Sequence, residues 1–319
     1  MIRLLAFALL FTIPLGWAQT GNYPNRAVKF VVPFPAGGPV DSTARTVGQK
    51  MTQLMHQPVI IENRPGAAMI IGIDAVAKAP GDGYSWLIVT NGIVINPSVY
   101  SKLPYDTVND LAAVSHLTNT PYLLIVHPSL PIRTLAQFIQ LAQKKRGQLL
   151  YSSSGIGSAN HLPVVQMDLL TQSHTTHVPY KGTAQSLTAV VAGEVDFQLS
   201  NPFASAALVR AGKLRALATG GVRRLHSLPE LPTFDEAGIK NFSPGPWFGL
   251  FTSAQTAPAL VHQFNAWCVQ ALNDPEVSQK LTAEGAEIIA DSPEQFTQFV
   301  KKELQKWAKV VATAGIKAN

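Results

Sequence analysis

The sequence predicts an α/β protein with mostly parallel sheets flanked by helices. Short β-branched runs alternate with segments of helical apolar spacing from residue 27 to residue 218, an alternation typical of parallel sheets. The 319 residues are 46% hydrophobic and 14% charged, which suffices for about two packed domains. Several turns that follow predicted strands are small and polar, as at the ligand-binding edge of such sheets.

The first strand and helix show how the elements are assigned. Residues 27–34 are β-branched and apolar, which predicts a strand, and from Asp41 the apolar positions 44, 47, 51, 54 and 55 recur at helical spacing. The same periodicities predict further strands at 58–62, 85–90, 122–126, 149–152, 174–180, 195–199, 214–218 and 247–251. They predict further helices at 70–79, 134–146, 158–170, 183–192, 203–211, 258–272, 275–284 and 293–312.

Residues 1–18 are typical of a secretory signal peptide. Arg3 supplies the positive end, residues 4–15 are apolar, and Gly16-Trp17-Ala18 is a cleavage site of the small-x-small type. The alternative is a membrane anchor, but a span needs about 20 apolar residues and this run is shorter. Cys268 is the only cysteine, so neither a lipid-bearing cysteine nor an intramolecular disulfide is available. We therefore expect cleavage after Ala18 and a soluble protein in a bacterial periplasm.

The net charge of +6 does not indicate a nucleic-acid partner. The basic clusters, such as Lys144-Lys145-Arg146, are short, and no aromatic residues interleave with them. We expect no nucleic-acid binding, and infer only a mild attraction for small anions.

Four turns are placed where a parallel sheet binds ligands, at the carboxyl ends of predicted strands. They are residues 34–41, 90–92, 152–158 and 180–183. Gly37 and Gly38 allow close approach of the backbone, and the helix that follows offers unpaired N–H groups to an anion.

The serine-rich turn 152–158 suggests one catalytic function, serine hydrolysis. The sequence contains no G-x-S-x-G nucleophile elbow. His161 and Asp168 lie seven residues apart on one predicted helix, roughly 10 Å, which is too far for a direct hydrogen bond. We therefore predict no catalytic residues.

Cofactor and metal sites are also disfavoured. Gly155 and Gly157 lack the third glycine of a dinucleotide loop. His174 and His177 lie three apart in a predicted strand, which places them on opposite faces. We expect no cofactor and no metal, and the four turns then predict a site that binds a carboxylate with N–H groups and hydroxyls.

Two charged residues near the turns have an ordinary structural explanation. Lys181 follows a strand, where a lysine is usually solvated, although it is the one cation beside a glycine turn. Asp41 falls in the first turn of a helix, where a carboxylate stabilises the helix by about 0.3–1 kcal/mol.

An ordered set of segments resembles a known family over nearly the whole mature chain. The set comprises YPNRAVKFVVPFPAGGPVDSTAR, VIIENRPGA, LPYDTVNDLAAV, YLLIVHPSLP, VPYKGTAQSLTAVVAGEVDFQ, LRALATGGVRR, LPTFDEAG and WFGLFTSA. It resembles the periplasmic solute-binding proteins of tripartite tricarboxylate transporters, the Bug proteins. Each segment alone is a weak signal, but the ordered set is specific.

The resemblance implies two α/β lobes that close on a ligand, as in a Venus flytrap. Lobe 1 would comprise residues 19–122 and 222–319, and lobe 2 residues 123–221. The ligand would be a small di- or tricarboxylate, acidic amino acid or aromatic acid, delivered by a monomer to an integral-membrane permease. Positions that match the family's binding loops are Phe34, Ala36, Gly37, Gly38, Asp41, Thr90, Asn91, Ser152, Ser153, Ser154, Gly157, Ser158, Tyr180, Lys181, Gly182 and Asp196.

The sequence departs from the family pattern at two places. Ala36 stands where the family commonly has proline, which should loosen the loop only slightly. Ala68-Met69-Ile70 replaces the family's glycines and polar residue, so ligand identity does not carry over. These apolar residues either reshape the cleft or merely begin a core-facing helix.

Two other functions stay open. A periplasmic sensor that reports ligand occupancy to a signalling partner would share the same pocket. An exported serine hydrolase is the less favoured alternative, and it would lose activity on Ser154→Ala.

Overall fold

The architecture is described by a computed structural model that covers residues 23–225 and 227–316. The predicted signal peptide, residues 1–18, lies outside the described residues. In chain order the elements are β1 (Val28–Val32), α1 (Pro39–Met55), β2 (Val59–Asn63), α2 (Ile70–Ala77), β3 (Ser85–Thr90), α3 (Gly92–Val99), β4 (Leu111–Asn119), β5 (Leu123–Val126), α4 (Leu135–Lys144), β6 (Leu150–Ser153), α5 (Leu162–Thr171), β7 (Thr176–Pro179), α6 (Thr183–Ala192), β8 (Phe197–Ser200), α7 (Pro202–Arg210), β9 (Arg215–Thr219), β10 (Trp247–Ser253), α8 (Pro258–Leu272), α9 (Pro275–Ala283), β11 (Glu287–Ile288) and α10 (Pro293–Ala314).

Two sheets flanked by helices form two lobes, which confirms the two-lobed α/β class. The first sheet has the strand order β11-β4-β10-β3-β1-β2, and the second has the order β7-β6-β8-β5-β9. We call the part of the chain built on the first sheet lobe 1 and the part built on the second sheet lobe 2.

Both sheets are mixed, so the expectation of mostly parallel sheets is corrected. In lobe 1, β1 runs parallel to β2 and β3, but β10 runs antiparallel to β3 and β4. In lobe 2, β6 runs parallel to β7 and β8, but β5 runs antiparallel to β8 and β9. The cause is the path of the chain: β4 leads out of lobe 1 and β10 returns to it, so the two strands run in opposite directions.

Most predicted elements are present, and the differences have local causes. The prediction missed α3, β4 and the two-residue strand β11. Helix α3 follows β3 after a single residue and contains Pro97, so the sequence reads as a break. Strand β4 is buried along most of its length, including polar residues such as Ser115 and His116, and therefore lacks the alternation that marks a half-buried strand.

The first helix confirms its predicted apolar face. Ala44, Val47, Met51 and Met55 are buried against lobe 1. Each large side chain that is removed from water in this way contributes about 1.5–3 kcal/mol. This burial fixes α1, and with it the loop between β1 and α1, on the sheet.

The two segments that cross between the lobes are joined by backbone hydrogen bonds. The N–H groups of Thr120 and Tyr122 donate to the carbonyls of Pro246 and Pro244, each at 2.8 Å. Gly245 makes this approach possible, because a Cβ there would lie 2.2 Å from the Thr120 carbonyl oxygen. The crossing segments therefore form a paired hinge.

No helix among the described residues is long and apolar enough to cross a membrane.

Gly245→Ala is expected to destabilise the hinge. Gly245 has φ +151 and no room for a side chain, so the substitution must separate the crossing segments. We expect the free energy of unfolding to fall by at least ~2 kcal/mol. Gly212→Ala is the control, because Gly212 also has a positive φ (+69) but open space around it, and it should lose only about 1 kcal/mol. Equal losses in urea unfolding of the two variants would contradict the proposed close packing.

Candidate functional site

The predicted turns lie at the carboxyl ends of parallel strands, in two groups. In lobe 1 they follow β1 and β3, and in lobe 2 they follow β6 and β7. Contacts between the lobes place the two groups on facing sides. Leu162, at the start of α5, joins the lobe 1 core cluster that contains Ile93, and a Cβ on Gly285 of lobe 1 would lie 3.9 Å from the Pro202 Cβ of lobe 2.

Most predicted residues belong to these two groups. In lobe 1 they are Phe34, Ala36, Gly37, Gly38, Asp41, Thr90 and Asn91. In lobe 2 they are Ser153, Ser154, Gly157, Ser158, Tyr180, Lys181 and Gly182.

Two predicted residues do not join them. Asp196 precedes β8, at the opposite edge of the sheet, where its carboxylate accepts the N–H of Leu150 at 2.7 Å. Ser152 is fully buried, and its hydroxyl donates to the Ser186 carbonyl at 2.9 Å. Both positions match the family in sequence, but the structure gives them roles inside lobe 2.

Asp41 organises the loop between β1 and α1. One oxygen of its buried carboxylate accepts the N–H of Gly37 and the Nε–H of Arg45, both at 2.9 Å. The other accepts Arg45 at 3.0 Å and the Asn63 amide at 2.9 Å. Asn63 also donates to the Phe34 carbonyl at 3.0 Å. A single carboxylate thus connects the loop, the first turn of α1 and the end of β2.

This network determines the charge of Asp41. Burial by itself raises the pKa of the carboxyl, but the hydrogen bonds from Arg45, Gly37 and Asn63 outweigh it and lower the pKa to about 2. Asp41 is therefore ionised throughout the neutral range, and the adjacent Arg45 guanidinium balances its charge.

The two glycines of the loop have different roles. Gly37 has φ +87, in the left-handed region, and its N–H is already donated to Asp41. Gly38 has φ −82 and is the N-cap of α1. No hydrogen bond among the described residues uses the N–H groups of Gly38, Val40 or Asp41. The unpaired donors of this loop therefore include those of Gly38 and of the first turn of α1.

The loop between β6 and α5 is held by hydrogen bonds within itself. The Asn160 amide oxygen accepts the N–H of Ser154 at 3.1 Å and the hydroxyls of Ser154 and Ser158 at 2.9 and 3.0 Å. Gly157 donates to Nδ1 of His161 at 2.9 Å. Helix α5 begins at Leu162 rather than at 158, because residues 158–161 form a turn. Among the described residues, the N–H groups of Ile156, Ala159 and Asn160 form no hydrogen bond, so this loop keeps three backbone donors.

A histidine pair underlies this loop. The rings of His161 and His177 stack with centroids 3.9 Å apart, and Nε2 of His177 lies 2.6 Å from Oγ of Ser153. Burial lowers the pKa of His161 to about 4, with a smaller contribution from His177, and burial also lowers the pKa of His177. Both rings are therefore neutral near pH 7. Ser153 is fully buried, so this serine–histidine contact offers no accessible nucleophile.

The loop between β7 and α6 offers an open anion position. Gly182 is the N-cap of α6 with φ +112, and no atom lies within 4 Å of where its Cβ would be. Within residues 23–225 and 227–316, no hydrogen bond uses the N–H groups of residues 183–185, and Lys181 beside them is exposed and forms no ion pair. Tyr180 anchors the loop by donating its N–H to the Ser153 carbonyl at 3.0 Å.

Sequence reasoning missed the residues that hold these loops in shape. Asn63, Arg45 and Asn160 accept or donate the bonds that fix the loops. Arg45 lies one helical turn after Asp41, a spacing typical of an ion pair, and this signal could have been found. The described residues contain no group of three or more His, Cys, Asp or Glu side chains that could hold a metal ion.

Comparison with known proteins places this geometry in a family. Residues 43–316 match the model of the tripartite tricarboxylate transporter family receptor. The chain belongs to this receptor family. Its members are periplasmic solute-binding proteins, and one solved member, BugD, is a periplasmic binding protein that is 30% identical to the chain over 93% of its length and 100% of BugD, with a TM-score of 0.73.

Other relatives extend the comparison. Protein BugT of Bordetella pertussis is 32% identical and covers 99% of both chains. A Rhodopseudomonas palustris protein solved with adipate is 34% identical, with a TM-score of 0.76 over 93% of this chain and 100% of that one. MatC of the same organism, solved with malate, is 31% identical, with a TM-score of 0.72 over 91% of this chain and 100% of MatC.

Asp41→Asn is expected to destabilise the receptor in a pH-dependent way. The pKa of about 2 in the folded protein lies below the ordinary value. The stabilisation is therefore present above about pH 4 and is lost as the pH falls toward 2. At pH 7 we expect the variant to lose about 2 kcal/mol in urea unfolding, and the difference from the wild type should shrink below pH 4.

Asp235→Asn is the matched control. Asp235 forms an exposed ion pair with Lys240 at 2.9 Å, which should be worth less than about 1 kcal/mol. A cost for Asp41→Asn that stays constant between pH 7 and pH 3 would contradict the role of the charged carboxylate.

Proposed function

We propose that this receptor captures a small carboxylate in the cleft between its lobes and delivers it to an integral-membrane permease. One observation carries the proposal: the first turns of α1 and α6 present unpaired N–H groups at the facing edges of the two lobes. A helix N-terminus attracts negative charge through these groups and through its dipole. Two such termini, one from each lobe, could bind a ligand that bridges the cleft and favours the closed state.

The ligands of known relatives support the proposal that this ligand is a carboxylate. The two neighbours described above were solved with adipate and with malate, and both ligands are dicarboxylic acids. The proposed anion positions use backbone and one exposed lysine, so they suit a carboxylate that is held and then released.

We propose binding rather than catalysis. The one serine–histidine contact in the cleft loops involves Ser153, whose hydroxyl is buried and also donates to the Gly155 carbonyl at 3.0 Å. A nucleophile needs access to its substrate and a third group that orients the base. Nδ1 of His161, Nε2 of His177 and the Ser153 hydroxyl are instead engaged in hydrogen bonds that hold the loop.

The proposed ligand site therefore has a defined set of members. It contains Gly38 and the start of α1 in lobe 1, and Lys181, Gly182 and the start of α6 in lobe 2. Thr90, Asn91, Ser154 and Ser158 complete its walls. We further propose that the mature protein is a monomer, with residues 123–243 in lobe 2 and the remainder in lobe 1. The sequence placed the return to lobe 1 at residue 222, but Phe234 and Ile239 pack in the core of lobe 2, and the returning segment is 244–246.

The purified receptor is expected to bind a carboxylic acid at one site per chain. Native mass spectrometry of freshly purified protein tests for a co-purified acid. Calorimetric titration with malate, adipate, hexanoate and benzoate tests binding directly. Hexanamide is the control, because it keeps the carbon chain of hexanoate but lacks the charge, and it should not bind. If no acid co-purifies and none of the four binds, the proposed function is wrong.

Gly38→Val is expected to block the anion position of lobe 1. The side chain would enter open space, with only the Pro35 carbonyl oxygen at 3.8 Å, and the φ of −82 suits valine. Valine adopts this backbone conformation without strain, so the variant should fold. We expect its affinity for the acid found above to fall about 10-fold or more.

Lys181→Ala is the variant with which Gly38→Val is compared. An exposed lysine contributes little, so we expect a loss of about 2- to 5-fold in calorimetric titration. Both variants should melt cooperatively. If Lys181→Ala abolishes binding while Gly38→Val leaves it intact, recognition rests on a side-chain cation and not on the helix termini.

A further inference from the structure

The loop between β2 and α2 holds three successive non-glycine residues in left-handed conformations. Ala67, Ala68 and Met69 have φ values of +45, +50 and +76. Such a conformation is costly for each residue with a side chain and persists only where the surroundings impose it. Here the Asn96 amide of α3 donates to the Ala68 carbonyl at 2.8 Å and holds the loop in place.

The strained conformation of this loop determines where the Met69 side chain lies. The hydroxyl of Thr90 donates to the Met69 sulfur at 3.6 Å, and a Cβ on Gly92 would lie 1.8 Å from the Met69 methyl carbon. Met69 therefore fills the space beside the turn between β3 and α3, which is a wall of the proposed site. It packs in part against the core of lobe 1 and is half-buried, so part of its side chain remains accessible.

Lobe 2 presents further apolar groups at its own cleft edge. Phe203 in the first turn of α7 is 79% exposed, and Ile156 in the loop after β6 is 70% exposed. The residue before Phe203 is Pro202, which lies against Gly285 of lobe 1, so this end of α7 faces the other lobe. Phe203 and Ile156 follow the carboxyl ends of β8 and β6, which is the sheet edge of the proposed site, so both side chains are available there to an apolar ligand.

Most side-chain cations near the cleft are already paired with carboxylates of the protein. The guanidinium of Arg45 is bound to Asp41, and Arg64 and Lys29 are both paired with Glu62. Lys181 is the cation of the cleft edge that forms no ion pair within the described part of the chain. A second carboxylate packed against the apolar side chain of Met69 or Phe203 would lose part of its hydration, which is unfavourable.

We propose that the ligand is a monocarboxylate with an apolar body, and that Met69 is a residue that determines this specificity. This inference rests on the proposed function, and it narrows the ligand class. The carboxylate is held at the helix termini, while Met69, Phe203 and Ile156 contact the apolar body. The receptor should therefore discriminate against dicarboxylates such as those seen in its solved relatives.

Hexanoate and adipate are the probes that test this inference. They share a six-carbon chain and differ in one end group, a methyl in hexanoate and a carboxylate in adipate. Calorimetric titration of the wild-type protein should give a dissociation constant for hexanoate at least about 10-fold lower than that for adipate.

Two variants and a control test which side chains produce the preference for hexanoate over adipate. Met69→Gln keeps the length of the side chain and adds amide donors, so the ratio of the two dissociation constants should fall at least about 3-fold. Phe203→Ser should weaken hexanoate more than adipate. Leu170→Ser removes an exposed apolar side chain at the far end of α5 and should leave the ratio unchanged.

The outcomes separate this inference from the proposed function. Adipate that binds as tightly as hexanoate overturns the inference and leaves the carboxylate receptor in place. The inference is also overturned if Met69→Gln and Phe203→Ser change the ratio of the hexanoate and adipate dissociation constants no more than Leu170→Ser does. Binding of malate without hexanoate or benzoate also overturns it. Failure of all four acids and of co-purification overturns the proposed function and this inference together.

Discussion

The pairing of the two crossing segments is the constraint on which the rest of the molecule depends. Thr120 and Tyr122 leave lobe 1 beside Pro244 and Pro246, which return to it, and the close approach requires glycine at 245. The direction of the outgoing and returning strands makes both sheets mixed. The same pairing holds the carboxyl ends of the parallel strands of the two lobes on facing sides, where the candidate site lies.

The local pattern of apolar residues made most of the fold predictable. The strands that were missed depend on pairing with strands that are far away in the chain. The apolar face of α1 and the strand–helix units of lobe 2 follow from periodicity that any short window contains. The antiparallel insertion of β10 between β3 and β4 depends on residues far apart in the chain, so no local signal reports it. Strand β4 was missed because its polar residues are buried by later parts of the chain, as where the Ser115 hydroxyl donates to the Asp291 carbonyl at 3.1 Å.

The candidate site was predictable in position but not in its hydrogen bonding. Glycines and serines after strands correctly marked the loops. Which donors remain unpaired depends on acceptors that the sequence does not connect to those loops, namely Asp41 for Gly37 and Asn160 for Ser154. The start of α6 is the proposed anion position in lobe 2 because its N–H groups lie beside the exposed Lys181. A loop that is already held by internal bonds loses less conformational entropy on binding.

The exposure of Phe203 and Ile156 has a thermodynamic consequence. Water that surrounds these side chains in the open protein is released when an apolar ligand covers them, and burial of apolar surface lowers the heat capacity of the complex. The enthalpy of association then becomes more negative as the temperature rises. As the temperature rises, binding of the apolar part of the ligand is therefore driven less by entropy and more by enthalpy. The contribution of the helix termini is electrostatic, so it depends instead on ionic strength.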